Sequence, residues 1–108
     1  MDSQLNLPLL GRLDAPSVVA PLLVTRCQTY RDAVRLCWEL RRVRNMTRAT
    51  LAAEAGLYAP HVSGYLSDKD GTRDLPGAYV KAFEWTCGNT AISQWHANNA
   101  RLTCLEEM

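Results

Sequence analysis

The chain has 108 residues, of which 47% are apolar and 21% charged, with a net charge of +1. That is enough for one domain with its own core, needing no metal or disulfide as a staple. The composition excludes a disordered polymer, and no apolar run approaches the ~18 residues of a membrane span.

Residues 1–25 read as an N-terminal extension. Pro8, Pro16 and Pro21 cut short apolar pieces such as Leu7–Leu10 and Val18–Val24, and proline both removes a backbone donor and breaks long helices. An extended arm with one short helix is expected, too apolar to hang free and packed on its own domain or on a second copy. Asp2, the lack of early positive charge and Pro8 argue against a signal peptide.

The remaining residues, 26–108, are expected to form an all-α domain of five helices. The first spans Thr29–Arg44, opened by a Thr29/Asp32 capping pair and striped by Tyr30, Ala33, Val34, Cys37, Leu40 and Val43 at helical spacing. Thr47 caps a second helix, the alanine-rich run Arg48–Ala55, which Gly56 ends in a left-handed turn. A third begins near Tyr58, with Pro60 in its first turn, and reaches Ser67. After a polar loop at Asp68–Asp74, Pro76 introduces a fourth helix, Gly77–Cys87, closed by Gly88, and Thr90 caps a fifth that runs to Arg101.

Charge is unevenly distributed. Between Arg26 and Arg48 stand seven arginines (26, 31, 35, 41, 42, 44 and 48) against Asp32 and Glu39, a local sum of +5. From Ala49 onward four basic residues face seven acidic ones, a sum of −3. Such polarity suits either one basic face turned to DNA or a solvated charged helix. The four cysteines form no Cys-x-x-Cys pair and neither histidine lies near one in ligand spacing, so free thiols in a reducing cytoplasm are expected. No phosphate-binding glycine loop, zinc spacing or dinucleotide fingerprint is present. The expectation is a protein that is not an enzyme and takes no cofactor, metal or small-molecule ligand.

Residues 47–67 carry the functional signal. Two short helices packed across a three-residue turn need apolar residues one turn apart on the first helix, met by Leu51 and Ala55. They need a small residue where the second helix crosses, met by Ala52. Gly56 makes the turn, Leu57 plugs the hinge, and Val62 with Tyr65 or Leu66 returns to the core. This pattern resembles the lambda-repressor-like helix-turn-helix of the Cro/CI (XRE) family. Cys87–Trp95 also resembles a segment of small prophage-encoded regulators.

The resemblance implies a DNA-binding transcriptional regulator, a repressor of phage or prophage type, that binds operator DNA as a homodimer. Its third helix would lie in the major groove, with Ala59, Pro60, His61, Ser63 and Gly64 facing the bases. Relatives often carry polar readers at the first two of these places, and here they are Ala59 and Pro60, which shifts specificity toward DNA shape. Thr47 and Arg48 at the start of the second helix, Lys69 and Arg73 after the third, and Arg41, Arg42 and Arg44 before the second are the candidates for phosphate. Phe83, Trp85, Ile92 and Trp95, on helices richer in apolar residues than one small core absorbs, are the candidates for the dimer interface. The alternative is a protein-interaction module, an antitoxin or adaptor built on the same helix pair.

Overall fold

Thr29 and Asp32 start the central helix by bonding to each other's backbone. The Thr29 hydroxyl accepts from the Asp32 amide at 3.1 Å, and the Asp32 carboxylate accepts from the Thr29 amide at 3.3 Å, so two amides that a helix start leaves unpaired are satisfied reciprocally. In a computed structural model that describes residues 15–67 and 73–106, this helix is α2 (Tyr30–Glu39), preceded by the short α1 (Pro21–Thr25). Then come α3 (Arg48–Ala55), α4 (Ala59–Leu66), a 3-10 turn (Gly77–Tyr79), α5 (Val80–Cys87) and α6 (Ala91–Glu106). The described residues are all-α, apart from an isolated parallel bridge between Ser17 and Asn89.

The local signals for α3, α4 and α5 act where the sequence places them. The Thr47 hydroxyl accepts from the Thr50 amide at 3.1 Å. Gly56 and Gly88 end α3 and α5 with φ of 74° and 87°, a conformation that costs other residues roughly 1–2 kcal/mol. Pro60 sits in the first turn of α4. The expected fourth helix divides into the 3-10 turn and α5, and the fifth extends beyond Arg101 to Glu106.

The first expected helix is corrected. It ends at Glu39, not Arg44, although Leu40 and Val43 continue its apolar spacing. The side-chain amide of Asn89 donates to the carbonyls of Cys37 and Leu40 at 2.9 and 3.3 Å, and the Arg42 amide donates to the Cys87 carbonyl at 2.6 Å. Helix-end carbonyls and the following amide thus find partners some fifty residues away, and the chain is free to turn. Leu40 and Val43 are left at the surface.

α2 lies against α6, α4 and α5; α3 lies against α5 and α4; α1 lies on α6. The core between them holds Val24, Val34, Cys37, Leu51, Val62, Phe83, Cys87 and Ile92. Phe83 and Ile92 are 0% exposed. Their assignment to a dimer interface is therefore corrected: both side chains are enclosed in the core of their own chain. Residues 15–25 pack on their own domain. Ser17 donates to the Gly88 carbonyl and accepts from the Thr90 amide, and the Gln94 carboxamide brackets Val19, accepting from its N–H at 2.8 Å and donating to its carbonyl at 2.9 Å. Residues 1–14 lie outside the described residues.

The two helix-ending glycines differ in what surrounds them. A Cβ on Gly56 would meet nothing within 4 Å, whereas one on Gly88 would lie 2.7 Å from Arg42 Nε and 2.9 Å from Arg42 Cβ. Gly56→Ala is expected to cost about 1 kcal/mol, the backbone strain alone. Gly88→Ala is expected to cost about 2–4 kcal/mol, because the Arg42 backbone itself must move. Urea denaturation of the two variants beside the wild type measures the difference.

Cys27, Cys37 and Cys87 are free thiols. Burial, and next the neighbouring Cys87, push the Cys37 thiol well above its usual 9.0; burial also raises Cys27 and Tyr30. As pH climbs past 9.0 for the thiols and 10.0 for Tyr30, the unfolded chain loses these protons before the native state does. The stability they contribute is complete below those pH values and is lost as pH rises through the native values. Denaturation midpoints are expected to fall with pH above 9.0, and Cys37→Ala is expected to flatten the decline.

Candidate nucleic-acid interface

Eight residues of α3, the turn Gly56–Leu57–Tyr58 and eight residues of α4 form a continuous helix-turn-helix. The left-handed Gly56 redirects the chain, and the Leu57 amide donates back to the Ala52 carbonyl at 2.9 Å. Leu51, Ala52, Ala55, Leu57, Val62, Tyr65 and Leu66 are all buried. The residues between them are left for the outer side: Ala59, Pro60 and Ser63 are exposed, and His61 and Gly64 are half-buried.

At the start of α3, Thr47 and Arg48 are exposed. Thr50 is capped by Thr47, while the amides of Arg48 and Ala49 have no acceptor among the described residues. Unpaired first-turn amides beside an arginine form a ready place for an anion. Arg44 is exposed a few residues earlier and makes no side-chain ion pair among the described residues.

Other arginines of the basic block are engaged within the protein. Arg31 pairs with Asp74 and Arg35 with Asp32, each at 2.6 Å. Arg41 and Arg42, both candidates for phosphate, also bond within the protein. Arg41 donates to the carbonyls of Trp38 and Arg44 at 3.0 and 2.9 Å and stacks 4.1 Å from the Trp38 ring centroid, a cation–π contact. Arg42 donates to the carbonyls of Ala15 and Gly88. These two guanidiniums hold the 40–46 loop and the N-terminal segment in place. Arg73 is exposed, with its carbonyl accepting from Arg31 at 3.4 Å. Lys69 lies outside the described residues.

Of the remaining interface candidates, Trp95 is half-buried. Its indole N–H donates to the Cys27 carbonyl at 3.1 Å, and its ring stands against Tyr30 and His96. Trp85 alone of the four shows a substantial exposed face, 37%.

One residue was missed in the sequence. Tyr58, read there only as the start of a helix, is 63% exposed at the N-cap of α4. Its ring meets His61 edge to face at 4.6 Å between centroids. The signal available was a tyrosine directly after the hinge residue Leu57, at a place the core does not need.

The described residues hold no cluster of three or more His, Cys, Asp or Glu side chains suited to a metal ion, and no described helix is long and apolar enough to cross a membrane.

The cap that orients α3 is testable apart from any ligand. Thr47→Ala is expected to cost about 1 kcal/mol in chemical denaturation, and Thr47→Ser to retain most of the wild-type stability. Comparison of the chain with protein-family models, with curated proteins and with solved structures finds no match.

Proposed function

We propose that this chain is a sequence-specific DNA-binding regulator that uses α3, the Gly56 turn and α4 as a helix-turn-helix of the lambda-repressor-like kind. The observation that carries the reading is the division of residues 47–66. Every residue the motif requires inside is buried, and Thr47, Arg48, Ala59, Pro60 and Ser63, which the motif turns outward, are exposed. In this reading α4 enters the major groove, which is wide enough for a helix and displays a distinct pattern for each base pair. Arg48, Arg44 and the α3 amides take the phosphates alongside. Ala59, Pro60, His61, Ser63 and Gly64 face the bases.

One motif grips few base pairs, so a two-fold homodimer is proposed, its recognition helices spaced about one DNA turn, roughly 34 Å. Trp85 is the contact of choice. Repression follows when the dimer occupies an operator that polymerase needs. The role is binding without catalysis, in the cytoplasm.

Fluorescence anisotropy tests this with a duplex from the DNA upstream of the chain's own coding sequence and a scrambled duplex as control. The upstream duplex is expected to bind more tightly, with affinity falling steeply as salt rises. Arg48→Ala is expected to weaken both duplexes alike and lower the salt slope by about 1. His61→Ala is expected to narrow the preference for the upstream duplex by about tenfold.

A second reading, a protein-interaction module of antitoxin or adaptor type, is favoured by one feature. Leu22 on α1 is largely exposed, and an open groove of about 510 Å³ between α1 and α6 is lined by Val24, Cys27, Trp95 and Asn98, among others. An apolar protein contact there would be little affected by salt, the opposite of the behaviour expected for DNA.

A further inference from the structure

The outward start of α4 is unusually poor in groups that can read a base by hydrogen bonding. Ala59 ends in a methyl group. Pro60 has neither a polar side chain nor a backbone N–H. Gly64 has no side chain, which leaves the His61 imidazole and the Ser63 hydroxyl. What stands at the front instead is the ring of Tyr58, 63% exposed.

That ring packs against a second one. Tyr58 meets His61 edge to face, at 4.6 Å and 79°. His61 in turn stands edge-on to Tyr65, at 6.4 Å and 82°, and Tyr65 is buried in the core. A relay of three rings therefore runs from the core to the surface. An aromatic side chain fixed before binding loses little freedom on binding, which favours a specific contact over a merely sticky one.

In the major groove, the feature that rewards an apolar surface is the C5-methyl group of thymine. Guanine, adenine and cytosine carry no such methyl group. We propose that α4 reads thymine methyl groups through an apolar edge made of Tyr58, Ala59 and Pro60, with His61 as the positioning residue that steadies the Tyr58 ring. This rests on the reading of α4 as a recognition helix. Tyr58 is the specificity-determining residue at that edge, its hydroxyl remaining at the rim where water or phosphate satisfies it.

The test uses the full chain and duplexes selected by it from a random pool, with binding followed by fluorescence anisotropy. Each thymine of the best duplex is replaced by deoxyuridine, which removes the methyl and leaves base pairing unchanged. At least one replacement is expected to weaken binding about fourfold, the worth of one buried methyl group. Tyr58→Ala is expected to weaken binding to the thymine duplex and to bind the deoxyuridine duplex equally well, so that the two losses are not additive. Its thermal melt is expected to match the wild type. Selected duplexes that bind equally with thymine and deoxyuridine would overturn the methyl readout while leaving DNA binding intact. A pool from which no duplex is enriched, with no binding at low salt, would overturn the DNA-binding reading and this proposal with it.

Discussion

The side-chain amide of Asn89 joins the end of α2 to the start of α6, which are far apart in sequence. It donates to the carbonyls of Cys37 and Leu40, closing α2, and its oxygen accepts from the Ala91 amide at 3.2 Å, opening α6. The flanking residues extend the joint: Gly88 and Thr90 hold Ser17, and the Cys87 carbonyl takes the Arg42 amide. Asn89 is buried, where leaving its amide unpaired would be costly. The exit of α2, the course of the 40–46 loop and hence the position from which α3 starts all depend on this turn. Glu84 adds a second tie of the same kind. Its buried carboxylate accepts from the amide and the hydroxyl of Ser93, both at 2.7 Å, within the first turn of α6, where negative charge is favoured by the helix dipole.

The basic block that dominates the sequence has a divided role. Arg31 and Arg35 are neutralised by Asp74 and Asp32, and Arg41 and Arg42 brace backbone carbonyls. Arg26, Arg44 and Arg48 are exposed and make no side-chain ion pair among the described residues. A surface with so few unengaged charges relies less on long-range attraction and more on close fit than the local sum of +5 suggests. The small and aromatic outer face of α4 agrees with that balance: Ala59, Pro60 and Gly64 allow a close approach, and Tyr58 and His61 supply shape.

The proposed dimer contact narrows for a related reason. Helices α5 and α6 carry more apolar residues than a peripheral pair needs, which first points to a subunit interface. The described part of the N-terminal segment and α1 cover α6 instead, and Phe83 and Ile92 fill the space toward α2 and α3. What remains outward on α5 is Trp85.

Local chemistry was legible in the sequence by itself. The Thr29/Asp32 box, the Thr47 cap, the left-handed Gly56 and Gly88, the first-turn Pro60 and the inner positions Leu51, Ala52, Ala55, Leu57 and Val62 all act over four or five residues, within reach of a reader of sequence. They determined an all-α fold and the location of the helix-turn-helix. Tertiary structure decided the rest: that α2 stops at Glu39, that Arg41 and Arg42 serve the backbone, that Phe83 and Ile92 lie inside, and that Tyr58 stands out at the tip of α4. Each of these depends on partners tens of residues away or on which side of a helix the core fills first. A hydrogen bond from Asn89 to Leu40 spans 49 residues, and no propensity or periodicity near Leu40 encodes it.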